Sequence, residues 1–201
     1  KSTPDLGVIK MEVTRNEDPK PGYLEGIRKL CDEHGIVLIF DECTSGFRET
    51  FGGIHLKYGV NPDMCMFGKA LGNGYAITAV LGKKEVMEAA QKTFISSTFW
   101  TERIGPAAAL ATLEVMKRTE SWDFITTQGL KIRNAWHKLG EENGLIINTS
   151  GIPALSTFNI ETPQWLEYKT FITQEMLKKG YLAGSSVYTC IGHTDDVINA
   201  Y

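Results

Sequence analysis

Asp63-Met64-Cys65-Met66-Phe67-Gly68-Lys69-Ala70-Leu71-Gly72-Asn73-Gly74 reads as a short apolar strand that runs into one lysine and then a glycine-rich turn. Upstream, Ile36-Val37-Leu38-Ile39-Phe40 is a continuous apolar run of strand length, ending in Asp41-Glu42. Such a run suits a strand covered on both faces. Ahead of it, residues 23–34 place Leu24, Ile27, Leu30 and Cys31 on one face, which predicts a helix stopped by Gly35. A polar loop with Pro19 and Pro21 precedes that helix, and residues 6–13 read as a strand before the loop. Strand, helix, strand is the βαβ unit of a parallel sheet.

Working outward, residues 44–61 are loop-rich, with Gly46, Gly52, Gly53 and Gly59. Residues 76–81 predict a further strand and 84–91 a short helix. Pro106 opens a helix at a favoured first-turn position, and residues 107–116 are rich in alanine, leucine and methionine, all strong helix formers. The character changes after Arg118. A long amphipathic helix is expected over 122–142, strands over 145–148 and 155–160 around Gly151-Ile152-Pro153, and a helix over 166–179 stopped by Gly180. A last strand and a terminal helix from Asp195 close the chain. The expected organisation is α/β: a partial large domain with a mostly parallel sheet over 1–118, and a C-terminal α+β small domain over 119–201.

Composition excludes several classes. With 201 residues and a formal charge of -3, the chain has no basic balance to attract nucleic acid or an anionic membrane surface. No apolar run is long enough to span a bilayer, and no basic-then-apolar leader starts the sequence, so a cytoplasmic location is expected. Cys31, Cys43, Cys65 and Cys190 form no CxxC pair, which argues against zinc; buried, reduced thiols are the expectation. The four histidines show no ligand spacing, and the four tryptophans read as packing residues. Gly72-Asn73-Gly74 lacks the third glycine of a dinucleotide fingerprint, because Ile77 stands there; Gly68-Lys69 lacks the earlier glycine and the Ser or Thr of a P-loop.

Functional groups in an open parallel sheet collect beyond the carboxyl ends of its strands, where Asp41 and Lys69 both fall. An acid and a lysine so placed suit pyridoxal phosphate chemistry. The amine forms a Schiff base with the cofactor and shuttles a proton, and the acid keeps the ring nitrogen protonated. Alone, Asp41 is equally a turn cap, and a lone lysine is usually a surface residue. The pair, each followed by glycine-containing turns, favours the chemical reading.

Ile39-Phe40-Asp41-Glu42-Cys43-Thr44-Ser45-Gly46-Phe47-Arg48 resembles the acidic motif of the class III aminotransferases, and is most like that of glutamate-1-semialdehyde 2,1-aminomutase and its relatives. Tyr58-Gly59-Val60-Asn61-Pro62-Asp63 and Gly68 to Gly74 continue the likeness into the cofactor-lysine motif, and Gly192-His193-Thr194-Asp195-Asp196 is similar to the family's closing segment. The resemblance implies the PLP-dependent transferase fold of type I and pyridoxal 5′-phosphate as cofactor. It implies amino-group transfer between a small-molecule amino donor and a keto or aldehyde acceptor, or aminomutase chemistry, in a homodimer or higher homo-oligomer. It makes Lys69 the Schiff-base lysine and Asp41 the partner of the pyridine nitrogen, puts Cys43 where relatives pack valine on the ring, and gives Thr98 the neighbouring subunit's cofactor phosphate. Phe99 to Pro106 departs from the aminomutase pattern, which opens the choice to other transaminases of the class.

Arg48 and Arg103 each admit two readings, a fork for an anionic group or a structural ion pair, Glu102 being one partner open to Arg103. The resemblance also implies a longer parent whose phosphate loop and ring-stacking aromatic have no counterpart ahead of Asp41. A second reading therefore stands beside the first: a truncated, non-catalytic chain that self-associates without binding cofactor.

Overall fold

The computed structural model describes residues 6–201. The chain divides into two compact units, the first ending at Glu120 and the second beginning at Ser121.

In the first unit, β1 (Val8–Met11), β2 (Val37–Asp41), β3 (Met64–Phe67) and β4 (Ala79–Gly82) form one sheet in that order. The first three strands are mutually parallel and β4 runs antiparallel to β3. Helix α1 (Tyr23–His34) makes the crossover from β1 to β2. It buries Leu24 and Cys31, while Leu30 stays half exposed. The inward stripe is Leu24, Ile27, Arg28 and Cys31, the i, i+3, i+4, i+7 series, and Leu30 falls one step outside it.

Arg28 replaces Leu30 in that stripe because it has a partner below. Buried Asp63, just ahead of β3, accepts from Arg28 at 2.9 Å and from the Leu38 backbone N–H at 2.8 Å, and pairs with Lys83 at 2.7 Å. One carboxylate thus ties α1, β2 and the end of β4 together. Leu38, Phe40 and Ile54 complete the core beneath.

Helix α2 (His55–Tyr58) is a single turn inside the glycine-rich stretch, and α3 (Lys84–Met87) passes into a 3-10 turn over Glu88–Lys92. Helix α4 (Ile104–Thr119) begins two residues before Pro106. Glu102 explains the early start: its carboxylate accepts from the N–H groups of Ile104 at 2.6 Å and Gly105 at 3.1 Å. Pro106 still lies in the first turn, where a missing N–H costs nothing.

The second unit sets α5 (Ser121–Glu142), α6 (Trp165–Lys178) and α7 (Asp195–Ala200) with an antiparallel sheet of β5 (Ile147–Ser150), β6 (Leu155–Ile160) and β7 (Ser186–Tyr188). Ile132, Trp136 and Phe158 form its core, with Trp165 at the edge; the Trp136 and Phe158 rings are 4.7 Å apart. Mid-helix Gly129 is required, because a Cβ there would lie 1.9 Å from the Pro153 carbonyl oxygen. No helix among the described residues is long and apolar enough to cross a membrane.

Candidate active site

Asp41 closes β2, and in register Asp41 pairs with Met66 of β3. Lys69 follows three residues later, so both groups sit at the carboxyl ends of adjacent parallel strands. Lys69 is exposed, has the left-handed backbone φ of 38° uncommon for a non-glycine residue, and donates to Thr44 Oγ1 at 3.1 Å. The turn behind it is tight: a Cβ on Gly72 would lie 2.1 Å from the Tyr75 carbonyl oxygen.

Asp41 is half-buried. Its Oδ1 accepts from the Cys43 N–H at 3.2 Å, and its Oδ2 pairs with Lys10 Nζ at 2.8 Å. The Lys10 hydrogen bond, aided by the Cys43 N–H, holds the carboxyl below the usual carboxylate range against a desolvation that opposes it. Cys43 lies between the two chemical groups. Its thiol is pushed up by burial and by Asp41, is drawn back by the charge of Lys69, and sits 3.7 Å from where a Cβ on Gly68 would stand. Asp41, Cys43, Thr44 and Lys69 are therefore gathered at one end of the sheet. The set offers an exposed amine, an ionised carboxylate and a small side chain between them, which fits an aldehyde-bearing cationic ring.

Glu42 is fully buried and turns the other way. Its carboxylate accepts from the N–H groups of Ile54 and His55 and meets His55 Nδ1 at 2.5 Å. Cys65 Sγ lies 3.7 Å from the same nitrogen. Glu42, His55 and Cys65 bring ligand-type atoms within 4.8 Å of one another. The carboxylate and the ring nitrogen are already engaged in hydrogen bonds, so the group reads as a buried brace for the 52–55 turn.

Thr98 lies in an exposed turn ahead of α4, flanked by Phe99 and Trp100, the latter 68% exposed and so not a packing residue within this chain. Among the described residues, no hydrogen bond or ion pair ties Thr98 to Asp41, Cys43 or Lys69. Arg48 donates from Nε to the Thr44 carbonyl at 2.7 Å, bracing the turn that holds Lys69. In the closing segment, Thr194 caps α7 and Asp195 pairs with Lys131 and Gln128, a structural use of that motif. Cys190 is exposed rather than buried, with its thiol 3.2 Å from His193 Nδ1.

The family model of the class-III aminotransferases matches residues 17–192, a span that contains Asp41, Cys43, Lys69 and Thr98. The chain belongs to that family. It is 38% identical over 187 residues to the 3-aminobutyryl-CoA aminotransferase of Cloacimonas acidaminovorans, covering 89% of this chain and 44% of that protein. It is 32% identical over 206 residues to the glutamate-1-semialdehyde 2,1-aminomutase of Nitratidesulfovibrio vulgaris, covering 90% and 47%. Among solved structures, the FumI protein of Sphingopyxis sp. MTA144 in its PLP internal aldimine form superimposes with a TM-score of 0.89 at 23% identity, over 98% of this chain and 50% of that one. A β-phenylalanine aminotransferase from Variovorax paradoxus gives 0.81 at 20% identity, over 98% and 50%. These likenesses show the fold of PLP-dependent transaminases. The chain spans about half the length of the class-III relatives it matches.

Sequence reasoning missed two residues here. Lys10 touches the candidate acid from the neighbouring strand, and its signal was a lysine interrupting Val8-Ile9-Lys10-Met11. Glu42 was visible only as the second acid of a pair; it follows the last residue of β2 with its N–H still bonded to the Met66 carbonyl, and the alternation of faces continued through it separates the two roles.

Proposed function

We propose that this chain carries the lysine and acid of a PLP-dependent amino-transferring site, acting between a small-molecule amino donor and a keto or aldehyde acceptor, or on one substrate as an aminomutase. The observation that carries this reading is the gathering of Asp41, Cys43, Thr44 and Lys69 at the ends of β2 and β3. Bound pyridoxal 5′-phosphate supplies an aldehyde and an electron-withdrawing ring. Lys69 would hold the aldehyde, Asp41 the ring nitrogen, and Cys43 the ring's side. Thr98, exposed ahead of α4, would serve the phosphate of a second copy's cofactor. Thr44 Oγ1 orients the Lys69 amine, which takes and returns the substrate proton. Arg48 supports this from behind by fixing the Thr44 carbonyl.

Exposed Phe94, Phe99, Trp100 and Leu110 support association with another copy of the chain, because large apolar side chains left this open favour burial. The same surface supports the second reading, self-association without cofactor. Four unpaired thiols suit a reducing compartment such as the cytoplasm.

The test is to add pyridoxal 5′-phosphate, reduce with borohydride and map the adduct by peptide mass spectrometry. The expected result is one adduct at Lys69 and a visible absorption band that Lys69→Ala abolishes. Label scattered over surface lysines with Lys69 spared would overturn the reading and leave the second.

A further inference from the structure

Both oxygens of Asp41 already have partners. Oδ1 belongs to the local turn through the Cys43 N–H. Oδ2 belongs to a side chain from another strand, Lys10 Nζ at 2.8 Å. The contact is built into the sheet. β1 and β2 are parallel with Lys10 opposite Ile39, so the two-residue alternation brings Lys10, Ile39 and Asp41 to one face. Lys10 lies outside the segment matched by the family, so nothing in that match assigns it a role.

The pair is a poor stability device. The Lys10 side chain is 53% exposed, and ion pairs so open to solvent contribute little and exchange readily. β1 stands at the edge of the sheet among the described residues, where a lysine is ordinary, but this one is directed at Asp41. Its position makes better sense as service to the carboxylate it touches. The other charged or titratable groups near the pair are Glu12, which adds to the pull on the Lys10 ammonium, the Cys43 thiol, and Lys69 beyond it.

Resting on the cofactor reading above, we propose that Lys10 is a positioning residue for the cofactor acid: its ammonium holds Asp41 Oδ2 in the free chain and yields that oxygen to a protonated ring nitrogen. The exchange swaps one cation for another. Asp41 stays ionised throughout and its Oδ1 stays fixed by Cys43, so the acid is charged and aimed before any ring arrives.

Lys10→Met keeps the length of the side chain and removes its charge; Lys10→Arg keeps the charge. The ligand is 4-deoxypyridoxine 5′-phosphate, which has the ring nitrogen but no aldehyde, compared with its carbocyclic analogue lacking the nitrogen. At low salt, Lys10→Met should bind the pyridine ligand roughly fivefold tighter than the unmodified chain, the size of one exposed ion pair. The gain should shrink as salt rises, vanish for the carbocyclic analogue, and be absent in Lys10→Arg. Equal affinity in Lys10→Met and the unmodified chain overturns the exchange; weaker binding of both ligands makes Lys10 a phosphate contact instead. The second arm needs no ligand. A carboxyl carbon NMR titration should show the Asp41 midpoint rising toward the ordinary carboxylate value in Lys10→Met and restored in Lys10→Arg. An unmoved midpoint overturns the hold, whatever the ligands do. Failure of both chains to bind the pyridine ligand, with a moved midpoint, overturns the cofactor reading and the exchange together.

Discussion

Asp41 and Glu42 are neighbours in the chain and opposites in surroundings. Asp41 faces a half-open surface, where its carboxylate pairs with the Lys10 ammonium and accepts from the Cys43 N–H. Glu42 faces inward, fully buried, with its oxygens committed to two backbone N–H groups and a histidine. Two adjacent carboxylates thus divide the work. The inward one fixes the turn that runs from Gly53 to His55, and the outward one is held at the sheet's mouth by Lys10 and the Cys43 N–H. The lesson is that motif membership does not tell an acid's role; the face on which strand alternation places it does.

The sharpest way to break this comparison is to remove each acid in turn. Glu42→Ala should cost about 3 kcal/mol, because it leaves buried donors at Ile54, His55 and the imidazole without an acceptor. Asp41→Ala should leave stability within about 1 kcal/mol, as expected for a group whose partners can turn to water. Urea unfolding midpoints measure both. Similar losses in the two variants would show that the two faces are not different in kind.

Much of this arrangement is legible in the sequence. The strand, helix, strand pattern and the placing of Asp41 and Lys69 at strand ends rest on local periodicity, and residues 23–34 form the helix their pattern predicts. The direction of β4 was not legible: an apolar run such as residues 76–81 has the same composition whichever way it pairs, and only the short path through Lys69 to Gly74 returns it antiparallel. Long-range partners were equally hidden. Arg28 with Asp63, and Lys10 with Asp41, are set by which strand lies beside which, and no spacing in the sequence encodes that. The exposure of Trp100 and Cys190 was missed because residue type indicates average burial, whereas these two sit in a turn and next to an open loop.

Acid pH gives a smaller effect that sharpens the same contrast between inner and outer acids. Burial raises the Asp63 carboxyl, but the Leu38 N–H, Lys83 and Arg28 outweigh it and leave the group below the usual carboxylate range. A folded value below the unfolded one means that stability is gained above the unfolded value, about 3.9, and is lost as pH falls through the folded value. Asp63→Asn should therefore lower stability at neutral pH and flatten its fall in acid. Asp41 shifts in the same direction, mainly through Lys10, but its pair is open to solvent and screened, so Asp41→Asn should flatten the acid limb much less. Unfolding midpoints from neutral pH down to about pH 2 would check this, and a larger change in Asp41→Asn would reverse the assignment of inner and outer roles.

The smallest effect comes from a pair of cysteines, one beside each acid. Cys65 lies beside His55 and Glu42, and burial together with the Glu42 charge pushes its thiol up to about 12. Cys43 lies on the Asp41 side, half-buried and within the influence of Lys69. Exchange of sulfur for oxygen adds a stronger polar group of similar shape. At Cys65 that group must be desolvated in an already satisfied cluster, so Cys65→Ser should cost about 1 kcal/mol. At Cys43 solvent is within reach, and Cys43→Ser should change stability by only a few tenths of a kcal/mol. Alkylation should follow the same order, because the thiolate is the reacting form and access is needed as well: Cys190 first, Cys43 next, Cys65 only as the chain unfolds. Bound pyridoxal phosphate should slow the reaction at Cys43 and leave Cys190 unchanged. If Cys43 instead reacted as slowly as Cys65 without any ligand, the mouth of the sheet would be closed, and the division between an inner brace and an outer chemical face would not hold.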